Sequence, residues 1–188
     1  MMPGPGQVPG FDMNRHFIEE MIPHHEDAVV MAELALAQAE HQELRALAEN
    51  IKRDQAREIE QMKEWYRAWY GTEVPPGHMS GHMPGMGMGN PRSIDGVRPF
   101  DKAFIEAMIP HHWMAVHMST MALQRADKPE LRGMLQSIVT TQTAEIEQMR
   151  QWYRTWYGTE PPTFGPGGHM MGGPMMGGPG PHRGSRAQ

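Results

Sequence analysis

A segment that occurs twice decides most of what this chain can fold into. Phe17-Ile18-Glu19-Glu20-Met21-Ile22-Pro23-His24-His25 returns 87 residues later as Phe104-Ile105-Glu106-Ala107-Met108-Ile109-Pro110-His111-His112. The same offset pairs Glu58–Met62 with Glu145–Met149, and Trp65–Gly71 with Trp152–Gly158. More than half of the positions from Phe17 to Glu73 are identical in the second copy, without a gap. A repeat of this length is one supersecondary unit present twice, and the fold must be assembled from two of them.

Each unit reads as two helices. Phe17, Met21, Ala28, Met31, Leu34 and Ala35 recur at three-to-four spacing and predict a first helix over about 14–39. A polar break at Glu40-His41-Gln42 follows. Leu44, Leu47, Ile51, Ile59, Met62, Trp65 and Trp69 then mark a second helix, with Gly71 well placed as its C-cap. In the second copy Asp127-Lys128-Pro129-Glu130 offers an N-cap carboxylate, an early proline and an acidic first turn. Strand signals are absent. One hairpin cannot cover its own apolar face, so the expected fold is all-α, a four-helix bundle made of two repeated hairpins, 11–71 and 100–158. The linker 72–99 and the tail 159–188 are rich in Gly, Pro, Met and His. At that Gly and Pro density neither should pack or stay helical, and both are expected to be flexible. A coil of about 28 residues reaches roughly 30 Å, enough to let the hairpins meet.

Two counts narrow the chemistry: the 188 residues include no Cys, 20 Met and 11 His. Disulfide scaffolds, zinc ribbons, iron–sulfur clusters and thiol catalysis are excluded. Thioether and imidazole remain as the only soft or borderline ligands, a pair that suits Cu(I), or Ag(I), with imidazole also able to hold Cu(II). The absence of thiolates leans toward an oxidising periplasmic or extracellular setting rather than the cytoplasm. The N-terminus shows no charged region followed by an apolar one, so no export signal is visible in it. The net charge of −5 is mixed along the chain, and no basic stripe exists to neutralise a phosphate backbone, so nucleic acid is not an expected partner. No apolar run approaches the ~20 residues of a membrane span. The expected partners are metal ions, together with a protein that donates or accepts copper.

Proline inside a helix removes one backbone hydrogen bond, so Pro23 and Pro110 should kink or restart their helices beside the His pairs. Neighbouring residues on a helix point about 100° apart, so His24 and His25 cannot face one point, nor can His111 and His112. Met21, one His and Met31 form a stripe that a metal could use, completed by Met62 from the second helix. The second copy offers Met108, His111, His112, Met118 and Met149 and adds Met114, His117 and Met121 at helical spacing. The first copy has Asp27, Val30 and Leu34 at those three added positions, so the two sites are expected to be unequal and the second preferred. Methionine is also common core filler, and for Met21, Met62, Met108 and Met149 packing explains the spacing as well as ligation does. Glu58 and Glu145 are candidates to orient an imidazole from behind; Glu60 and Glu147 read as a solvated face. In the Gly-rich stretches His78, Met79, His82, Met83, His169 and Met170 contribute nothing to a core and read as weak capture sites for soft ions.

Other chemistries fit poorly. His25-Glu26-Asp27-Ala28-Val29 lacks the second His of a zinc protease, and neither copy has the Glu-x-x-His of a di-iron bundle. No serine elbow, phosphate loop or dinucleotide fingerprint occurs, and no catalytic residue is expected. The leading expectation is a non-catalytic copper buffer that confers copper tolerance. A structural or interaction bundle with a Met-rich core, and a metal-dependent oxidase, are the alternatives.

Met-Ile-Pro-His-His followed by Ala-Val-x-Met, and later Gln-x-x-Glu-Ile-x-x-Met with a terminal Trp-Tyr, resembles the bacterial domain-of-unknown-function family 305. The resemblance covers both hairpins, roughly 11–71 and 100–158. It implies a ferritin-like four-helix bundle, export, and in some members copper binding linked to copper resistance. It also implies that His24, His25, Met31, His111, His112 and Met118 occupy the family's motif positions.

Overall fold

A computed structural model describes residues 11–76 and 90–162. Four helices carry the fold: α1 Met13–Gln38, α2 Gln42–Tyr70, α3 Phe100–Leu123 and α4 Pro129–Tyr157. Among the described residues there is no strand, and no helix is long and apolar enough to cross a membrane. The helix ends follow local chemistry. Asp12 caps α1 by accepting the N–H groups of Asn14 and Arg15 at 2.9 and 3.1 Å. Gly71 and Gly158 close α2 and α4 at φ 68° and 70°, a left-handed turn that a side chain would resist. Both helices with an internal proline run on without a restart, so Pro23 and Pro110 sit inside α1 and α3 rather than at breaks. The backbone hydrogen bond lost at each is outweighed by the packing on either side of it.

The core consists of two apolar clusters, and their membership fixes the topology. One joins the C-terminal half of α1 (Ala28 to Ala39) to the start of α2, the start of α3 (Phe100, Phe104, Met108) and the end of α4 (Ile146, Met149, Tyr153). The other joins the start of α1 (Phe17 to Ile22) to the end of α2, the end of α3 (Ala115, Ala122) and the start of α4. Helices α1 and α3 therefore lie antiparallel, α2 runs parallel to α3, and the residues between Gly71 and Pro99 must carry the chain back along the whole bundle. That length is about 40 Å for helices of this size. The arrangement is an up-down-down-up four-helix bundle with one long crossover.

Cross-bracing locks the hairpins together. Asp101, in the first turn of α3, is buried and accepts the Glu40 and His41 N–H groups at 2.9 and 2.8 Å and the His41 ring Nδ1–H at 2.6 Å. This cap for α2 therefore comes from the other hairpin. Its counterpart 87 residues earlier, Asn14, exchanges hydrogen bonds with the side chain and N–H of Asp127 at 2.8 and 3.2 Å. Asp127 is thus not the N-cap of α4, as its sequence position suggested: Lys128 stands there without a side-chain cap. The linker expectation also needs revision at its C-terminal end. Pro91–Ile94 forms a 3-10 turn whose Ile94 is buried in the first cluster, and Asp95 and Gly96 are held by Gln38 at 2.8 and 3.0 Å. Ile94 supplies the apolar anchor of this end of the segment.

Candidate metal centre

Between the two apolar clusters lies a layer of four buried histidines. His24 and His25 follow Met21 and Ile22 of one cluster and precede Ala28 of the other; His111 and His112 stand in the same relation on α3, in the opposite sense. Because α1 and α3 are antiparallel and related by the duplication, equivalent residues at their crossing meet each other. The His24 and His111 rings lie 3.7 Å apart between centroids, tilted by 35°.

His25 and His112 turn the other way, toward the second helix of their own hairpins. His25 donates Nε2–H to Glu58 Oε2 at 2.8 Å, and His112 donates Nε2–H to Glu145 Oε2 at 2.7 Å. In the neutral ring this leaves the lone pair on Nδ1, and both Nδ1 atoms are buried without a partner. A carboxylate that fixes one ring nitrogen and orients the other is the arrangement found behind metal-bound histidines. His24 and His111 have both ring nitrogens buried and unpartnered. Burial, reinforced by the neighbouring imidazoles, holds both rings well below the ordinary histidine range; each one's contact with the other's main chain opposes this less. They are kept neutral, the form in which imidazole is a ligand. Unsatisfied buried polar atoms cost about 1–3 kcal/mol each, so a layer holding six such nitrogens needs an explanation.

Thioethers flank the layer on both sides. Met21 and Met62 lie in one cluster with Met118 packed against it, while Met31 lies in the other with Met108 and Met149. The expected stripe of Met21, one His, Met31 and Met62 is therefore divided. Ten residues along α1 correspond to about 15 Å, so Met21 and Met31 fall on opposite sides of the histidines. Each methionine group takes two members from one hairpin and one from the other, which a reading of single helices could not show. Among the described residues no three His, Asp or Glu side chains converge as a ready metal group. Thioethers are the donors left to complete a shell here.

The profile of the domain of unknown function DUF305 matches residues 14–182. The chain belongs to that family. Its likeness to solved structures extends over nearly the whole of each. CopM in the Cu(I)-bound form is 46% identical, with a TM-score of 0.70 over 77% of this chain and 98% of CopM. CopM in the Cu(II)-bound form is 46% identical with a TM-score of 0.72 over 77% and 97%. A DUF305 fragment from Deinococcus radiodurans is 27% identical, with a TM-score of 0.65 over 77% of this chain and 97% of the fragment. Uncharacterized protein L153 of Acanthamoeba polyphaga mimivirus is 37% identical over 49 residues, 26% of this chain, and the match spans about a third (32%) of the viral protein.

The remaining candidates of this DUF305 chain lie apart from the histidine layer. On α3 His117 is exposed and stacks flat on Trp113 with centroids at 5.3 Å, Met121 is 48% exposed, and Met114 is half-buried. Glu60 and Glu147 are exposed and paired with Lys63 and Arg150, as a solvated face should be. His78, Met79, His82, Met83, His169 and Met170 lie outside the described residues. Two features escaped the sequence reading. Tyr66 and Tyr153 donate to Glu19 and Glu106 at 2.5 Å, tethering the glutamates one turn before each proline. Gln55 and Gln142 are buried beside Glu58 and Glu145. Their shared Gln-x-x-Glu spacing was the signal for the second.

Proposed function

We propose that this protein binds copper as a non-catalytic buffer, holding Cu(I), and with it Ag(I) and Cu(II), at the histidine layer. The carrying observation is the set of buried, unpartnered imidazole nitrogens with thioethers above and below them. His25 and His112 supply Nδ1 lone pairs, with Glu58 and Glu145 as the groups that orient them. His24 and His111 supply further nitrogens. Met21, Met62 and Met118 on one side, and Met31, Met108 and Met149 on the other, supply sulfur. Soft thioether with imidazole selects Cu(I) over hard divalent ions. The likeness to CopM, whose solved forms carry Cu(I), Cu(II) and Ag, supports the reading. The α3 strip of half-buried Met114 and exposed His117 and Met121 serves as a weaker outer site, reached by a copper-donating or copper-accepting protein. The cysteine-free ligand set supports a periplasmic or extracellular location.

Full burial of Met21, Met62, Met108 and Met149 favours a second reading, in which the methionines are only core and the protein is a structural bundle. Titration of the reduced protein with Cu(I) against a competing chelator separates the two. The copper reading expects binding tighter than that of a scrambled Met-rich peptide, and loss of it in the His25→Ala, His112→Ala double variant. Equal affinity of protein and peptide would leave the structural reading standing.

A further inference from the structure

On the side where α2 faces α4, a gap of about 20 Å³ opens to solvent between Gln55, Glu58 and Asp54 of one hairpin and Gln142, Glu145 and Thr141 of the other. These residues are equivalent in pairs under the 87-residue repeat, so the gap lies on the pseudo-twofold axis that also relates His24 to His111. Its size matches one water-sized particle, since a water needs about 10–15 Å³ measured this way. Apart from Ile51 and Ile138, every side chain that lines it offers an oxygen ligand. Glu58 and Glu145 each commit one carboxylate oxygen to a histidine. Gln55 and Gln142 are 4% and 3% exposed, and their amide oxygens are buried without a hydrogen-bond partner. Asp54, at the rim, is paired with Arg53 at 3.0 Å and Arg57 at 3.4 Å.

We propose that this gap binds one hard divalent cation through the carboxylates of Glu58 and Glu145 and the amide oxygens of Gln55 and Gln142. Two like charges face one small space beside two buried acceptors that lack donors; a single water would serve the acceptors alone, whereas a cation also offsets the two charges. An oxygen-only set selects ions such as Mn²⁺, Ca²⁺ or Mg²⁺ and gives little to Cu(I). The thioether and imidazole nitrogens lie inward of it, so the two sites would divide soft from hard ions within one bundle. The proposal stands independently of the copper reading.

Mn²⁺ added to the metal-stripped full-length chain, with free Mn²⁺ read by electron paramagnetic resonance, tests it. One class of bound Mn²⁺ is expected, displaced by Ca²⁺. The double variant Gln55→Leu, Gln142→Leu should weaken it by about tenfold or more, the scale on which metal-site neighbours act, with Cu(I) affinity unchanged. If circular dichroism shows that this variant fails to fold, Gln55→Glu replaces it; a third carboxylate should tighten Mn²⁺ several-fold. No Mn²⁺ bound at millimolar concentration would overturn the proposal. So would an affinity that neither substitution moves, or an anomalous manganese peak anywhere but the α2–α4 gap.

Discussion

Along its outer flank α1 carries Glu26, Asp27, Val30 and Leu34, the last packed against the edge of the core; on α3 the equivalent positions are Trp113, also packed there, Met114, His117 and Met121. Around the histidine layer the two hairpins match residue for residue, Met21 with Met108, His24 with His111, His25 with His112, Glu58 with Glu145 and Met62 with Met149, although the wider core differs, as at Ala48 against Leu135. Duplication thus kept the histidine layer and released the outer face. The first copy made its outer face acidic, with Asp27 half-buried and its carboxyl pushed up by burial and then by Glu26. The second made its face soft and aromatic. If copper binding belongs to what the hairpins share, both halves should suffer equally when the layer is damaged. If it belongs to what α3 alone carries, only the second should.

The largest expected effect comes from removing both oriented rings. His25→Ala with His112→Ala should lower Cu(I) affinity by at least about a hundredfold in chelator competition, more than loss of an orienting neighbour does. The single substitutions Glu58→Gln and Glu145→Gln each weaken the hold on one ring and should cost about tenfold apiece, alike in the two halves. A loss confined to Glu145→Gln would break the symmetry that the geometry shows.

Asp101 accepts three hydrogen bonds as a buried carboxylate, whereas Asn14 exchanges two with Asp127 as a neutral amide. In urea denaturation Asp101→Ala should cost about 3 kcal/mol and Asn14→Ala about 1 kcal/mol, following the greater strength of bonds to charged groups. The pH dependence follows from His24 and His111, which face each other, His25 and His112, with Glu58 and Glu145 behind the latter pair. Burial lowers both pKa values below the unfolded value of about 6.5, so the unfolded chain takes up protons first as pH falls. Metal-free stability should therefore be fully present above about pH 6.5 and decline below it, by up to about 3 kcal/mol per pH unit for the two rings. A flat profile from pH 7 to 5 would show that both rings gain a proton in the folded protein without cost, and about half the decline that only one does.

Helix positions, glycine caps and the pairing of two hairpins were legible in the sequence, because periodicity and the repeat both act locally or along the chain. The division of Met21 from Met31 was not. It depends on α1 and α3 crossing antiparallel at the histidines, which no single helix encodes. Nor could spacing separate Met114, His117 and Met121 from the inner ligands. α3 is apolar almost all round, and methionine serves a core and a surface equally well. Asp127 carried the local signature of an N-cap, yet its carboxylate found Asn14 of the other hairpin instead. The pairing of Glu58 and Glu145 with one His each could be suggested from position, but only packing decided which His.

The most direct test is a crystal of the full chain grown with Cu(I) and measured at the copper absorption edge. Anomalous density is expected within the layer of His24, His25, His111 and His112, beside the flanking methionines. Density confined to Met114, His117 and Met121 on the outside of α3, with none among the four buried histidines, would contradict it.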